Sequence, residues 1–139
     1  MVNSQLSAFA FINPESLGRP RGYANGVLVP AGGALLFIAG QIAWDERQQI
    51  VSTDLVAQFD RALANVITVV RAAGGTPEQI ARLVIYVLDA HEYRASMPEI
   101  GARWRAQMGR HFPAMVLVEV KRLLEAEALI EIEGIAVIR

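Results

Sequence analysis

Two stretches near the C-terminus constrain this chain more than any other part of it. Phe112-Pro113-Ala114-Met115-Val116-Leu117-Val118-Glu119-Val120 is a long β-forming run, and after a short gap Ile130-Glu131-Ile132-Glu133-Gly134-Ile135-Ala136-Val137 alternates apolar residues with carboxylates. A strand places successive side chains on opposite faces, so the pattern predicts two strands, Ala114 to Lys121 and Ala128 to Ile138. Taken as a hairpin, they put Val116, Val118, Val120, Ile130 and Ile132 on one face, suited to packing under helices. The other face mixes Met115, Leu117, Leu129 and Ile135 with Glu119, Glu131 and Glu133. Half apolar and half acidic, it is poor solvent surface and poor monomer core. It fits sheets from several chains meeting around a shared interior, and hence a closed homo-oligomer.

Upstream, the near-continuous apolar run Leu35 to Ile42 predicts a central strand covered on both faces. From Asp54 to Ala73, Leu55, Phe59, Leu63, Val66 and Val70 recur at helical spacing, with Ser52 or Thr53 as the cap and Gly74-Gly75 as the stop. Thr76-Pro77-Glu78-Gln79 has capping-box spacing and predicts a short helical turn before a strand from Ala81 to Leu88. A second helix, Glu92 to Gly109, lines up Tyr93, Met97, Ile100, Trp104 and Met108. Pro98 interrupts it, and Ser96 with Glu99 predicts a fresh start there. Residues 1 to 34 read as loop with short strands near Phe9 to Ile12 and Gly26 to Val29. The order gives an α+β domain spanning residues 1–139, with two helices covering one face of a mixed sheet.

Apolar residues make up 53% of the chain and charged ones 19%, a surplus that also points to an oligomer interface. No apolar run reaches the ~18 residues of a membrane span, and Met1-Val2-Asn3-Ser4-Gln5 lacks a signal peptide's regions, so a cytoplasmic protein without a membrane partner is expected. The absence of cysteine excludes disulfides and thiolate chemistry. Thirteen basic and fourteen acidic residues, with no basic cluster, give non-specific nucleic-acid binding no electrostatic support. His91 and His111 have no metal-ligand spacing, so no metal is expected. None of the serines lies in an elbow motif, and the Gly-Gly pairs match no phosphate loop.

Several segments together resemble the Rid family, the YjgF-type reactive-intermediate deaminases. Gly22-Tyr23-Ala24-Asn25-Gly26-Val27 is similar to the family's Pro-Tyr-Ser-Gln-Ala-Val segment, Ile38-Ala39-Gly40-Gln41-Ile42 to its Ser-Gly-Gln strand, and Gln58 to Asn65 to its Gln-x6-Asn pattern. The two C-terminal runs resemble its terminal hairpin. The resemblance covers about Ile12 to Val137 and implies a homotrimer of chorismate-mutase-like α+β subunits with three inter-subunit clefts. There, members hydrolyse enamines and imines to ketones and ammonia without a cofactor.

Carried over position by position, the resemblance implies Glu131 as the carboxylate that orients water and Tyr23, Ala39, Gly40, Met115 and Leu117 as substrate-binding positions. Ala39 stands in place of the usual serine, Pro98 where an asparagine often stands, and Met115 in place of the arginine that holds a substrate carboxylate. A guanidinium makes two parallel charge-assisted bonds to a carboxylate that methionine cannot imitate. At about 1.5 to 3 kcal/mol for a bond to a charged group, the loss weakens carboxylate binding roughly tenfold to several hundredfold. Ordinary 2-imino acids are therefore expected to be poor substrates.

Each residue has a plainer reading beside the functional one. Glu131 is equally one rung of a Glu119, Glu131, Glu133 ladder, and Tyr23 a packing residue of its loop. Trp104 with Met97, Ile100 and Met108 either lines an apolar pocket or, more in keeping with helical spacing, forms a core stripe. Arg19 and Arg21 near Tyr23, or Arg103 and Arg105, offer a positive charge from another position. Two functions follow: hydrolysis of a small imine or enamine directed by Glu131, or a binding or regulatory trimer with an apolar cleft for a small ligand. A ribonuclease is the weakest on charge grounds.

Overall fold

A computed structural model describes residues 8–139 of the chain; the segment Met1 to Gln5, on which the leader-peptide expectation rests, lies outside them. Two short strands, β1 (Ala10–Ile12) and β2 (Gly26–Leu28), pair with each other. They are followed by β3 (Ala34–Gln41), α1 (Leu55–Ala72), β4 (Ile80–Val87), α2 (Ala90–Ala95), α3 (Met97–Met108), β5 (Ala114–Glu119) and β6 (Ile130–Ile138). The main sheet has the order β3-β6-β4-β5, with β4 and β5 parallel and the other pairs antiparallel. This is a mixed α+β fold. No helix among the described residues is long and apolar enough to cross a membrane.

Two expectations about the sheet are corrected. β5 and β6 are not a hairpin, because β4 lies between them. The segment carrying α2 and α3 returns the chain parallel to β4, so β5 takes one edge of that strand and leaves the other to β6. Nor is β3 central. It is an edge strand, and its apolar character serves one helix-covered face and one bare face. Ile38 is buried, whereas Leu35 is 65% and Phe37 72% exposed.

The register also reverses the expected facing of β5. Leu83 and Ile85, fully buried, pair with Met115 and Leu117, which therefore pack against the helix-covered core. Val116 and Val118 point to the bare face, beside Val84 and Tyr86. In β6 the expectation holds, since Ile130 and Ile132 are buried in the core. The bare face thus carries Leu35, Phe37, Val116, Val118, Ile135, Glu131 and Glu133. Glu119 leaves the ladder: its Oε1 accepts the Ala90 N–H at the start of α2, 3.1 Å away.

On the covered face, Phe59, Leu63, Val66 and Val70 of α1 and Ile100, Trp104 and Met108 of α3 form one core with the sheet. The cap of α1 is Asp54, not Ser52 or Thr53. Its Oδ2 accepts the Ala57 N–H at 2.9 Å, while Ser52 Oγ takes the Asp54 N–H. Gly74, at φ +86°, ends the helix as expected. Thr76 N–H donates to Gln79 Oε1 at 3.1 Å, the predicted reach-back. The break between α2 and α3 falls at Ser96, two residues before the proline, but its side chain makes no capping bond. Met97, placed on the stripe, is 47% exposed.

The loop before β6 is held by a buried amide. Gln58 Nε2 donates to the carbonyls of Ser52 (2.8 Å) and Glu127 (3.0 Å), and its Oε1 accepts the Leu129 N–H at 2.8 Å. Gln58→Leu fills the same space but strands three backbone groups, and at about 1–3 kcal/mol for an unsatisfied buried group a loss of roughly 2–4 kcal/mol is expected for this part-buried set. A lowered urea midpoint with an unchanged m-value is the readout.

Tyr93 of α2 packs edge-on against Phe59, and burial pushes its hydroxyl from 10.0 to about 12. The fold thus favours the neutral phenol: between these values the native state binds more protons than the unfolded one. The contribution is complete below pH 10 and lost as pH rises towards 12. Stability should fall across that interval, and Tyr93→Phe should flatten the fall in chemical denaturation series at alkaline pH.

Candidate functional site

Glu131 stands on the bare face of β6, half-buried, opposite Tyr86 of β4. Its neighbour on the other side is a bulge in β3. Ile38 pairs with Gly134 and Gln41 with Ile132, so Ala39 and Gly40 together oppose Glu133 alone. The bulge brings Gly40 against the Glu131 side chain, where an added Cβ would overlap Oε1. Glycine is needed here for space. The sequence-derived pair Gly40 and Glu131 is thus brought into contact, with Ala39 exposed beside it.

The Tyr86 hydroxyl donates to Glu133 Oε1. That hydrogen bond, together with burial and the nearby charges of Glu133 and Glu131, raises the phenol above its usual 10.0, with Arg82 acting in the opposite sense. Arg82, Val84, Tyr86 and Glu133 line a hollow of ≈ 180 Å³ on this face. Tyr86 was not singled out from the sequence. The available signal was alternation along β4, where Arg82, Val84 and Tyr86 interleave with buried Leu83, Ile85 and Val87.

Met115 and Leu117 are not beside Glu131. They lie on the opposite face of the sheet, packed against the core. Exposed Val116 and Val118 of β5 share the Glu131 face instead. Trp104 is likewise a core residue. It is buried, donates Nε1–H to the His111 carbonyl at 3.2 Å, and stacks on Phe112 with centroids 5.9 Å apart and planes 4° from parallel. His111 Nε2 lies 2.7 Å from the Ile80 carbonyl oxygen, a structural bond. No group of three or more metal-ligating side chains is gathered among the described residues.

Tyr23 belongs to a separate cleft at the start of β5. Ala24 is buried and forms a parallel bridge with Ala114, its N–H donating to the Pro113 carbonyl at 2.9 Å. Asn13 Oδ1 accepts the Asn25 N–H at 2.7 Å and holds the loop from the other side. Between this loop and the turn after α3 lies a cleft of ≈ 550 Å³, lined by Phe11, Arg19, Arg21, Tyr23, Arg110 and Phe112 among others. Arg19 and Arg21 had been picked out for their nearness to Tyr23. Arg110 had not, because nothing in sequence places the end of α3 against a loop some ninety residues earlier. Arg103 is engaged elsewhere, 3.6 Å from Asp60.

Comparison with known proteins bears on this arrangement as a whole. Residues 18–138 match the family described as Endoribonuclease L-PSP. A RutC family protein of Pyrococcus horikoshii is 38% identical over 105 residues, which cover 75% of this chain and 79% of that protein. The 2-iminobutanoate/2-iminopropanoate deaminase of Escherichia coli is 34% identical over 110 residues, covering 77% and 82%. Among solved structures, a Rid-family protein of unknown function from Yersinia pestis superposes with a TM-score of 0.83 at 36% identity, over 94% of this chain and 98% of that one. The YjgF gene product of Escherichia coli does so with a TM-score of 0.65 at 32% identity, over 96% and 95%. With the family match running from the loop that carries Tyr23 through the strand that carries Glu131, the chain belongs to the YjgF/RutC/Rid family.

Proposed function

We propose that the protein is a cofactor-independent deaminase that hydrolyses a small imine or enamine to a carbonyl compound and ammonia, working as a homotrimer. The observation that carries this reading is the Glu131 carboxylate lodged over Gly40 on a largely apolar face, in a family whose curated relatives include 2-imino acid deaminases. Glu131 takes a proton from water as the oxygen attacks the imine carbon. The C=N π pair moves to nitrogen, which gains a proton. The carbinolamine then passes its hydroxyl proton to nitrogen through Glu131, the C–N bond breaks to release ammonia, and the C=O bond forms, so that imine plus water gives carbonyl plus ammonia. An enamine enters by first taking a proton at carbon.

Met115, under the helices where an arginine clamp would stand, supports a substrate other than an ordinary 2-imino acid. The same residue favours one alternative, a trimer that binds a small ligand without turnover. Ammonia release from imines generated by amine and amino-acid oxidases separates the two. Glu131→Gln is expected to lower the rate roughly 10²- to 10⁴-fold, the usual scale of general acid–base catalysis. No release by the wild type from any imine would leave the binding protein.

The bare sheet face supports a homo-oligomer, and the family resemblance makes the trimer the assembly proposed. Leu35 and Phe37 at one edge of this face and Val116 and Val118 at the other are exposed apolar side chains on a subunit whose core-forming helices lie on the opposite side. Glu131 and Met115 lie on opposite faces of one sheet, so a cleft using both positions draws on two copies. Phe37→Glu should convert a trimer to monomer in sedimentation velocity, since each buried phenylalanine contributes about 1.5–3 kcal/mol and the charge adds a desolvation cost. A monomeric wild type at micromolar concentration would refute the assembly.

A further inference from the structure

We propose that the cleft at the start of β5 binds an aryl-substituted carboxylate, with the acid group held by Arg19, Arg21 and Arg110 and the ring set against Phe11, Tyr23 and Phe112. As a statement about substrate class it rests on the deaminase reading; as a statement about binding it stands alone.

Three arginines line a hollow of ≈ 550 Å³ that has no aspartate or glutamate in its described lining. The one ion pair among the described residues is that of Arg103 with Asp60, so none of the three is paired with a carboxylate among those residues. Like charges gathered in one cleft repel until an anion enters, and guanidinium is the cation that meets a carboxylate with two parallel donors. The backbone commits two of them to this place: Arg21 precedes Gly22 at φ +77°, and Arg110 follows Gly109 at φ +62°, both left-handed conformations that suit glycine.

The apolar side of the cleft is equally fixed. Phe112 lies flat on buried Trp104, whose indole is tied to the His111 carbonyl. Phe11 meets the His111 ring edge-on, with centroids 5.8 Å apart. Walls ordered before a ligand arrives lower the cost of binding it. Planar rings offer stacking and edge contacts to another planar ring, which an aliphatic acid of the same charge cannot use. The volume falls within the few hundred Å³ typical of small-molecule sites. Ala24 bridges Ala114, so the cleft lies at the start of the strand that carries Met115.

Isothermal titration of the full chain with phenylacetate, acetate and inorganic phosphate tests this. Phenylacetate should bind at least tenfold more tightly than acetate or phosphate. Arg21→Gln and Arg110→Gln should each weaken it tenfold or more, while Arg105→Gln, on the exposed side of α3, leaves it unchanged. All of these arginines are exposed, so thermal midpoints near that of the wild type are expected. Equal binding of acetate and phenylacetate, tighter binding of phosphate, or indifference to both cleft substitutions overturns the proposal. Phenylacetate binding without ammonia release would sink the deaminase reading and keep this one. Imine turnover that ignores Arg21→Gln and Arg110→Gln, with no phenylacetate bound, would do the reverse.

Discussion

Leu83 of β4 pairs with Met115 on one side and Gly134 on the other, and the rest of the subunit follows from that register. A side chain at residue 134 would have its Cβ 2.7 Å from the Arg82 carbonyl oxygen and from Leu83 Cδ2. Glycine there lets β4 and β6 meet closely in the one alignment that puts Ile130 and Ile132 under the helices. A slip of one residue would turn every side chain of β6 over, burying Glu131 and Glu133 in the core. The cost of burying two unpaired carboxylates excludes that alternative far more firmly than the ladder hydrogen bonds do.

Two side-chain amides, buried Gln58 and half-buried Asn65, extend this constraint to the loops. Gln58 ties the entry to α1 to the segment before β6, and Asn65 Nδ2 donates to the carbonyls of Ile42 and Trp44, each at 3.0 Å, just beyond the β3 bulge. Both side chains sit on α1, Gln58 in its first turn and Asn65 near its middle. By satisfying the backbone where the chain leaves regular structure, they keep the bulge at Ala39 and Gly40 in place. Glu131 is therefore positioned by residues that never touch it.

Much of the helical layer was legible because amphipathic periodicity, glycine stops and capping spacings act over a few residues. α1, the turn at Thr76 and the break before Pro98 all belong to that class. Gly40 and Glu131 were named separately as positions that the family resemblance implies, but their contact, a carboxylate occupying the space of a missing Cβ, needs coordinates. Strand partners were less accessible. Reading β5 and β6 as a hairpin was natural from their nearness in sequence, yet a parallel partner reached through α2 and α3 displaced it. With that error went the facing of Met115, Leu117 and Glu119, because parity in a strand has no meaning until its neighbour is known.

Local patterning by itself determined that this chain would make an α+β subunit with a one-sided helical layer and a glutamate on an alternating strand. Those are properties of spacing along the chain, and spacing acts through short-range sterics and periodic burial. Only the tertiary structure decided that Glu131 and Met115 look away from each other, that β3 lies at an edge with Phe37 bare, and that Arg110 joins Arg19 and Arg21 around Tyr23. Each of these depends on which distant segments pair, and pairing is settled by the burial and hydrogen bonding of the whole sheet rather than by any one strand.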